Sequence, residues 1–185
     1  RTICRPATRS CLVMRVLVTG GTGYIGSTAV EILLGQGYEI SILDDCSMGH
    51  ADTVPAGVRF IQGSLLNADQ VADALTGCDA VMHFAGKSLV GESVEKPELY
   101  QSVNVNGTRI LLDEMRKQSI TKIVFSSSAA TYGEPKVVPI LETSETNPTN
   151  PYGATKLAID HMITEEAKNH GISAASLRYF NVAGA

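Results

Sequence analysis

Tyr152 and Lys156 stand four residues apart in Tyr152-Gly-Ala-Thr-Lys156, directly behind Asn150-Pro151, an N-cap residue followed by proline at the first helical position. On a helix, positions i and i+4 share a face. A phenol and an ammonium would therefore meet near the helix N-terminus. Such a pair serves proton transfer: a tyrosine ordinarily ionises near a pH of about 10, and both a neighbouring cation and the positive end of the helix dipole favour its phenolate. Alone, the spacing equally describes an ordinary amphipathic helix surface. Two companions point to chemistry. Ser126-Ser127-Ser128 closes an apolar strand, so that one hydroxyl can share a substrate oxygen with Tyr152, and Asn104 offers an amide from a long helix.

A second constellation lies near the start. Val16-Leu17-Val18-Thr19-Gly20-Gly21-Thr22-Gly23-Tyr24-Ile25-Gly26 joins an apolar, β-branched run (Arg15–Thr19) to glycines that can be read as G-x-x-G-x-x-G from Gly20 or G-x-G-x-x-G from Gly21. Gly20, Gly23 and Gly26 would let the backbone turn tightly, approach a pyrophosphate closely and pack the next helix on the strand. The helical pattern Ile25, Ala29, Ile32, Leu33 follows, with Gly35 and Gly37 as a stop. A second strand, Tyr38–Leu43, then ends in Asp44, about 20 residues beyond the glycines, where a ribose-binding acid belongs. The order strand, turn, helix, strand, acid predicts a dinucleotide site with phosphates on the helix N-terminus. Asp44 would repel a 2′-phosphate, and no arginine occurs from Gly20 to Gly57 to receive one, which selects NAD over NADP.

The elements that must position these groups can be read in order. Further strands are expected at Val58–Gln62, Ala80–Phe84, Lys122–Ser126 and Ser173–Phe180, and helices at Ala68–Leu75 with Asn67 as N-cap, at Pro97–Gln118, and from Asn150-Pro151 to about His170, ended by Gly171. The stretch from Ser127 to Asn150 is a long loop of the kind that is usually functional. This alternation predicts an α/β doubly wound parallel sheet, a Rossmann fold, over residues 14–185. Residues 1–13, with three arginines and no acid, read as a non-native or disordered extension ahead of a start at Met14. The stop at Asn181-Val182-Ala183-Gly184-Ala185, straight after a strand, reads as a truncation that leaves a C-terminal substrate domain missing.

Composition bounds the partners. With 185 residues, 44% of them hydrophobic, the chain can bury one core, and a net charge of -4 without a basic stripe argues against nucleic acid. No apolar run approaches the roughly 20 residues of a membrane span. Cys4, Cys11, Cys46 and Cys78 form no C-x-x-C pair, so neither a metal site nor a disulfide framework is indicated and a cytoplasmic setting is expected. His83 reads as a core or loop-packing histidine, His50, His161 and His170 have no partner pattern, Met82, Met115 and Met162 read as core, and Glu142–Glu145 reads as a solvated loop edge.

Together with these residues, Thr19-Gly-Gly-Thr-Gly-Tyr-Ile-Gly26, His83-Phe-Ala-Gly86, Val90-Gly-Glu-Ser-Val94, Asn104-Val-Asn-Gly-Thr108, Ser126-Ser-Ser-Ala129, Tyr132-Gly133, Asn150-Pro-Tyr-Gly153 with Lys156, and Leu177-Arg-Tyr-Phe-Asn181 resemble the extended short-chain dehydrogenase/reductase family, and within it the enzymes that invert C4 of a UDP-hexose. The resemblance implies a tightly held NAD and a UDP-sugar substrate, UDP-glucose or UDP-galactose. Tyr152 would take the proton of the sugar 4-hydroxyl while hydride leaves C4, and the 4-keto sugar would then turn over and accept the hydride on its other face. Lys156 would bind the nicotinamide ribose, and Ser128 the sugar oxygen. By the same resemblance Tyr24 and Ile25 belong to the pyrophosphate turn, Asp44 and Asp45 to the adenosine ribose, and Cys46, Ser47, Met48 and Gly49 to the loop around it. Ser64, where the family usually has aspartate, and Leu65 fall by the adenine. Phe84, Ala85, Gly86, Lys87 and Ser88 form a loop beside the cofactor, within which either Lys87 or Ser88 reaches it. Asn104 and Phe180 complete the cofactor contacts, and Asn181 opens the sugar-nucleotide site. A homodimer is possible for the complete protein.

Sugar-nucleotide 4,6-dehydratases share the Tyr/Lys pair but carry an Asp-Glu acid/base pair after the strand-five Ser/Thr. Here Ala129 and Ala130 stand there and cannot protonate a leaving hydroxyl. A 4-epimerase of UDP-pentoses or N-acetylhexosamines, and a non-catalytic NAD-binding module, are the remaining readings.

Overall fold

Alternation in the first strand already specifies two layers of helices. In the computed structural model, which describes residues 13–183, Val16 and Val18 of β1 (Arg15–Thr19) join one apolar core and Leu17 between them joins another. Successive strand side chains point to opposite faces, so a strand buried on both must be apolar throughout. On the first face lies α1 (Tyr24–Gly35), packing Val30 with Leu33 and Leu34 against β1 and β2 (Glu39–Asp44). The expected helical stripe was Ile25, Ala29, Ile32, Leu33, yet Ile32 is 55% exposed. The buried stripe starts at Gly26, because only a residue without a side chain fits where the helix crosses the glycine turn.

On the second face, α2 (Ala68–Leu75), α5 (Gly107–Lys117) and α6 (Pro151–His170) bury Val71, Leu75, Leu111, Met115, Ile159 and Ile163 with Phe125 of β5 (Lys122–Ser128). With β3 (Arg59–Gln62), β4 (Ala80–His83) and β6 (Ser173–Tyr179), six parallel strands form one sheet in the order β3-β2-β1-β4-β5-β6. This is the expected doubly wound sheet. The strand order reverses between β1 and β4, and a crevice opens there at the carboxyl ends.

The expected caps are present. Asn67 Oδ1 accepts from the Asp69 and Gln70 N–H groups at 3.1 and 3.2 Å, Asn150 Oδ1 accepts from Gly153 N–H at 2.8 Å, and Gly171 ends α6 in the left-handed region at φ 69°. One expected element is corrected and one is added. The helix expected over Pro97–Gln118 is a composite: α4 (Pro97–Tyr100), a π-helical segment (Gln101–Asn106) and α5. A further helix, α3 (Val90–Glu95), occupies a stretch for which no element was expected, its six residues being too few for a periodic pattern. The long loop contributes the last two residues of β5 and a 3₁₀ turn at Ala129–Tyr132. Of the expected extension, only Val13 falls among the described residues, as do Cys46 and Cys78 of the cysteines. Among the described residues no helix is long and apolar enough to cross a membrane, and no cluster of three or more His, Cys, Asp or Glu could hold a metal ion.

Gly20 (φ 72°) and Gly26 set the crevice floor: a Cβ on Gly20 would strike the Ala85 backbone nitrogen, and one on Gly26 the Gly20 carbonyl oxygen. Gly26→Ala should therefore cost about 1–3 kcal/mol, the range for overpacking a close contact. Gly35→Ala, whose Cβ meets nothing within 4 Å, should be neutral or stabilising by up to about 1 kcal/mol. Denaturant unfolding of the two variants side by side checks the pair.

Candidate active site

The crevice is an open cleft of about 510 Å³ along the carboxyl ends of the strands, within the usual size of a small-molecule site. At one end lies the start of α1. Gly23 is its N-cap and offers no side chain to cap the first turn, which holds no acid, so the helix presents its positive end to the cleft. Asp44, at the tip of β2, fixes the turn: its Oδ2 accepts from Thr22 N–H at 3.0 Å and its Oδ1 from Cys46 N–H at 2.8 Å. Asp45 Oδ1 accepts from Ser47 N–H at 2.9 Å. Gly20, Gly23, Tyr24, Ile25, Gly26, Asp44, Asp45, Ser47, Met48, Gly49, Ser64 and Leu65 line this half of the cleft. Cys46 does not. It adopts φ 57°, with its sulfur 3.9 Å from Thr22 Oγ1, so it shapes the loop from behind.

The middle of the cleft is the loop after β4. Phe84, Ala85, Gly86, Lys87 and Ser88 all line it, so both Lys87 and Ser88 stay in reach of a ligand. Asn104, expected to touch the cofactor, is absent from the wall. It lies behind the loop, 2% exposed, where its Oδ1 accepts from Lys87 N–H at 2.8 Å and its Nδ2 donates to the Lys87 carbonyl at 3.0 Å and to Thr155 Oγ1 at 3.1 Å. Thr155 in turn donates to the Tyr152 carbonyl at 2.8 Å. The π-helical segment delivers Asn104 to this point.

At the far end stand the titratable residues. Ser128 ends β5 and its Oγ accepts from Ala130 N–H at 3.1 Å. Tyr152, in the first turn of α6, is half-buried. Burial pushes its phenol above the ordinary value, and a hydrogen bond with Ser128 pulls it back. Burial thus opposes the neighbouring cation and the helix dipole, which favour the phenolate. Lys156 Nζ lies 5.8 Å from the Tyr152 ring centroid, and it donates instead to the Ser126 carbonyl at 2.8 Å and sits 4.8 Å over the Phe125 ring. Lys156 is 5% exposed, and burial lowers its ammonium to about 8, opposed by Asp160. Tyr179, Phe180 and Asn181 form the mouth on the β6 side.

Several lining residues escaped the sequence reading. Glu92 of α3 and Tyr100 face the cleft, and the Tyr100 hydroxyl donates to the Leu89 carbonyl at 2.7 Å and to Glu92 Oε2 at 3.1 Å. Burial and the Glu92 charge raise that phenol to about 12. Ser93, fully buried, accepts from Tyr152 N–H at 3.2 Å and tethers α3 to the start of α6. The spacing of Glu92 and Lys96 was a local signal for the short helix. Nothing local marks a hydroxyl whose partner is a distant backbone group.

Comparison with known proteins covers nearly the whole chain. Residues 16–185 match the model of the NAD dependent epimerase/dehydratase family. A UDP-glucose 4-epimerase of Corynebacterium glutamicum is 52% identical over 172 residues, 93% of this chain and 52% of the relative, and one of Streptomyces lividans is 52% identical over 174 residues, 92% of this chain and 53% of the relative. The crystal structure of UDP-glucose 4-epimerase from Brucella ovis in complex with NAD superposes with a TM-score of 0.90 at 43% identity, covering 94% of this chain and 54% of that one. The chain thus spans about half the length of the relatives it matches.

His83 lies beneath the site rather than in it. Thr108 donates to the Asn104 carbonyl at 2.6 Å, so its oxygen accepts from His83 Nε2–H at 2.9 Å, and His83 Nδ1 accepts from Thr19 Oγ1 at 2.7 Å. Burial and the nearby Lys156 charge depress the imidazole from 6.5 to about 3. Between those values the unfolded chain binds a proton that the folded one refuses, so stability is fully present above pH 6.5 and falls as pH drops toward 3. The slope is about 1.4 kcal/mol per pH unit. Thermal unfolding between pH 4 and 7 should be less pH-dependent in His83→Gln than in the unsubstituted protein by a slope of that order.

Proposed function

Because the chain belongs to the NAD dependent epimerase/dehydratase family, we propose that the protein carrying it holds NAD in the cleft between β1 and β4 and inverts C4 of a UDP-hexose, interconverting UDP-glucose and UDP-galactose through a transient 4-keto sugar. One observation carries this reading: a half-buried tyrosine hydrogen-bonded to a serine and a buried lysine share a single cleft with an uncapped helix N-terminus. The names of the relatives, UDP-glucose 4-epimerases, support it.

The residues present fit NAD. The first turn of α1, with Tyr24 and Ile25, would take the pyrophosphate on its N–H groups. Asp44 accepts one hydrogen bond per carboxylate oxygen, from Thr22 of the glycine turn and from Cys46 of its own loop, and each oxygen keeps acceptor capacity for a ribose hydroxyl. Asp45 and the loop through Gly49 would flank that ribose, Ser64 and Leu65 the adenine, and Phe84 to Ser88 with Phe180 the nicotinamide end, where Lys156 would hold the second ribose. NAD, when bound, supplies a hydride acceptor and donor for C4. Tyr152 takes the proton of the 4-hydroxyl and later returns it, Ser128 hydrogen-bonds the same oxygen, and Lys156 carries the positive charge that favours the phenolate. Asn181 begins the sugar-nucleotide site. Asn104 and Cys46 act on this machinery from behind, by holding the loops that form its walls. Ala129 and Ala130 stand after Ser128 where the dehydratases carry their Asp-Glu acid/base pair, which separates this reading from a dehydratase.

In the full-length protein, Tyr152→Phe should lower the turnover of UDP-galactose by about 10²–10⁴-fold, the usual contribution of a general base. The amount of NAD that co-purifies should not change. Turnover unaltered by the substitution would refute the assignment.

A further inference from the structure

Asp160 sits one helical turn beyond Lys156, on the face of α6 that meets the ends of β5 and β6. Its side chain is 5% exposed. Oδ2 accepts from the Ser127 hydroxyl at 3.1 Å and from Arg178 Nε at 3.0 Å, and Oδ1 is buried without a hydrogen-bond partner among the described residues. Arg178 continues the network outward, donating to the Tyr132 hydroxyl at 2.9 Å with its guanidinium 5.0 Å over that ring. One carboxylate therefore joins the three elements that present Ser128, Tyr152 with Lys156, and Tyr179 to Asn181.

Arg178 bridges this acid at 3.0 Å, and Lys156 stands four residues before it, on the same buried face of α6. Arg178 keeps 26% of its side chain in solvent and shares its charge with water, whereas Lys156 is 5% exposed at the cleft floor and has only the Ser126 carbonyl and the Phe125 ring against its ammonium. The other titratable groups facing Lys156 are uncharged: His83 from β4 is held neutral, and Tyr152 from its own helix is a phenol. Tyr132, from the 3₁₀ turn, touches only Arg178 in this network. A buried ammonium without a counter-charge gives up its proton rather than remain charged.

Resting on the reading of Lys156 given above, we propose that Asp160 is a positioning residue: its carboxylate is the counter-charge that keeps the Lys156 ammonium beside Tyr152, and its bonds to Ser127 and Arg178 hold the β5 and β6 tips in register with α6. The direction in which Asp160 acts on Lys156, upward against burial, agrees with this. A plain structural staple between α6 and β6 is the competing account. The two differ in what happens when the Arg178–Asp160 bridge is cut from either side.

The full-length protein, as Asp160→Asn and as Arg178→Gln, decides between them by two readouts: the alkaline limb of the epimerisation rate against pH, and the pH titration of the Lys156 13Cε resonance, identified by its loss in Lys156→Arg. Asp160→Asn should move both downward by about one pH unit, the low end of what one neighbouring charge exerts. Arg178→Gln should lower the melting temperature yet leave both in place. Profiles of Asp160→Asn that superimpose on the unsubstituted protein, or equal shifts in both variants, would overturn the proposal. If Asp160→Asn alone does not fold, Asp160→Asn with Arg178→Gln removes the stranded cation and is read in the same way. The resonance needs no turnover, so a protein that fails to epimerise UDP-glucose would sink the functional reading while the titration still decides the role of Asp160.

Discussion

Three hydrogen bonds from one buried amide hold the two halves of this molecule to each other. Asn104 closes both the N–H and the carbonyl of Lys87 and reaches Thr155, so the loop after β4 cannot shift without moving α6 and the tyrosine at its start. Beneath it, Thr19, His83 and Thr108 form a proton-ordered chain from β1 to the helix that follows Asn104. A buried polar group left unpaired costs about 1–3 kcal/mol. These contacts therefore rigidify the crevice only because every member is satisfied. The crevice is a switch point of topology held by side-chain hydrogen bonds as well as by the apolar packing of Phe84 and Ala85.

Much of the fold was legible because its signals are local. Apolar β-branched runs marked the strands, Asn67 and Asn150 marked helix starts, and Gly171 marked a helix end, each acting through neighbours a few residues away. Boundaries shifted by a residue or two where tertiary pairing extended a strand, as when Ser127 and Ser128 paired with Arg178 and Tyr179. Part of the cleft was legible for the same reason: glycines, an acid at a strand end, and the Tyr152/Lys156 spacing are sequence patterns in their own right, whereas Ser64, Leu65, Phe84 to Ser88, Phe180 and Asn181 came from the family resemblance. Cys46, expected in the loop around the ribose, and Asn104, given a cofactor contact by the resemblance, lie behind the wall, because neither sequence position nor resemblance says which side of a loop a side chain takes.

Electrostatics was the least legible layer. Spacing suggested a cation that favours the Tyr152 phenolate, whereas burial of the phenol acts the opposite way and the lysine donates to the Ser126 carbonyl. Desolvation depends on what covers a group from other elements, and sequence separation hides that. The same holds for Asp160, 33 residues from Ser127 and 18 from Arg178.

The π-helical segment at Gln101–Asn106 has a consequence for how this stretch tolerates change. By taking up one more residue per turn it rotates everything after Asn106 about the axis relative to Tyr100, so the upstream part faces α3 and the cleft while the downstream part faces the sheet core. Pro97 to Lys117 is thus two screws of different phase on a common shaft. Losing a single residue from the widened turn would restore a regular helix and swing Asn104 about 100° away from Lys87. The length of that turn, more than the identity of most side chains in it, keeps the molecule's two halves in step.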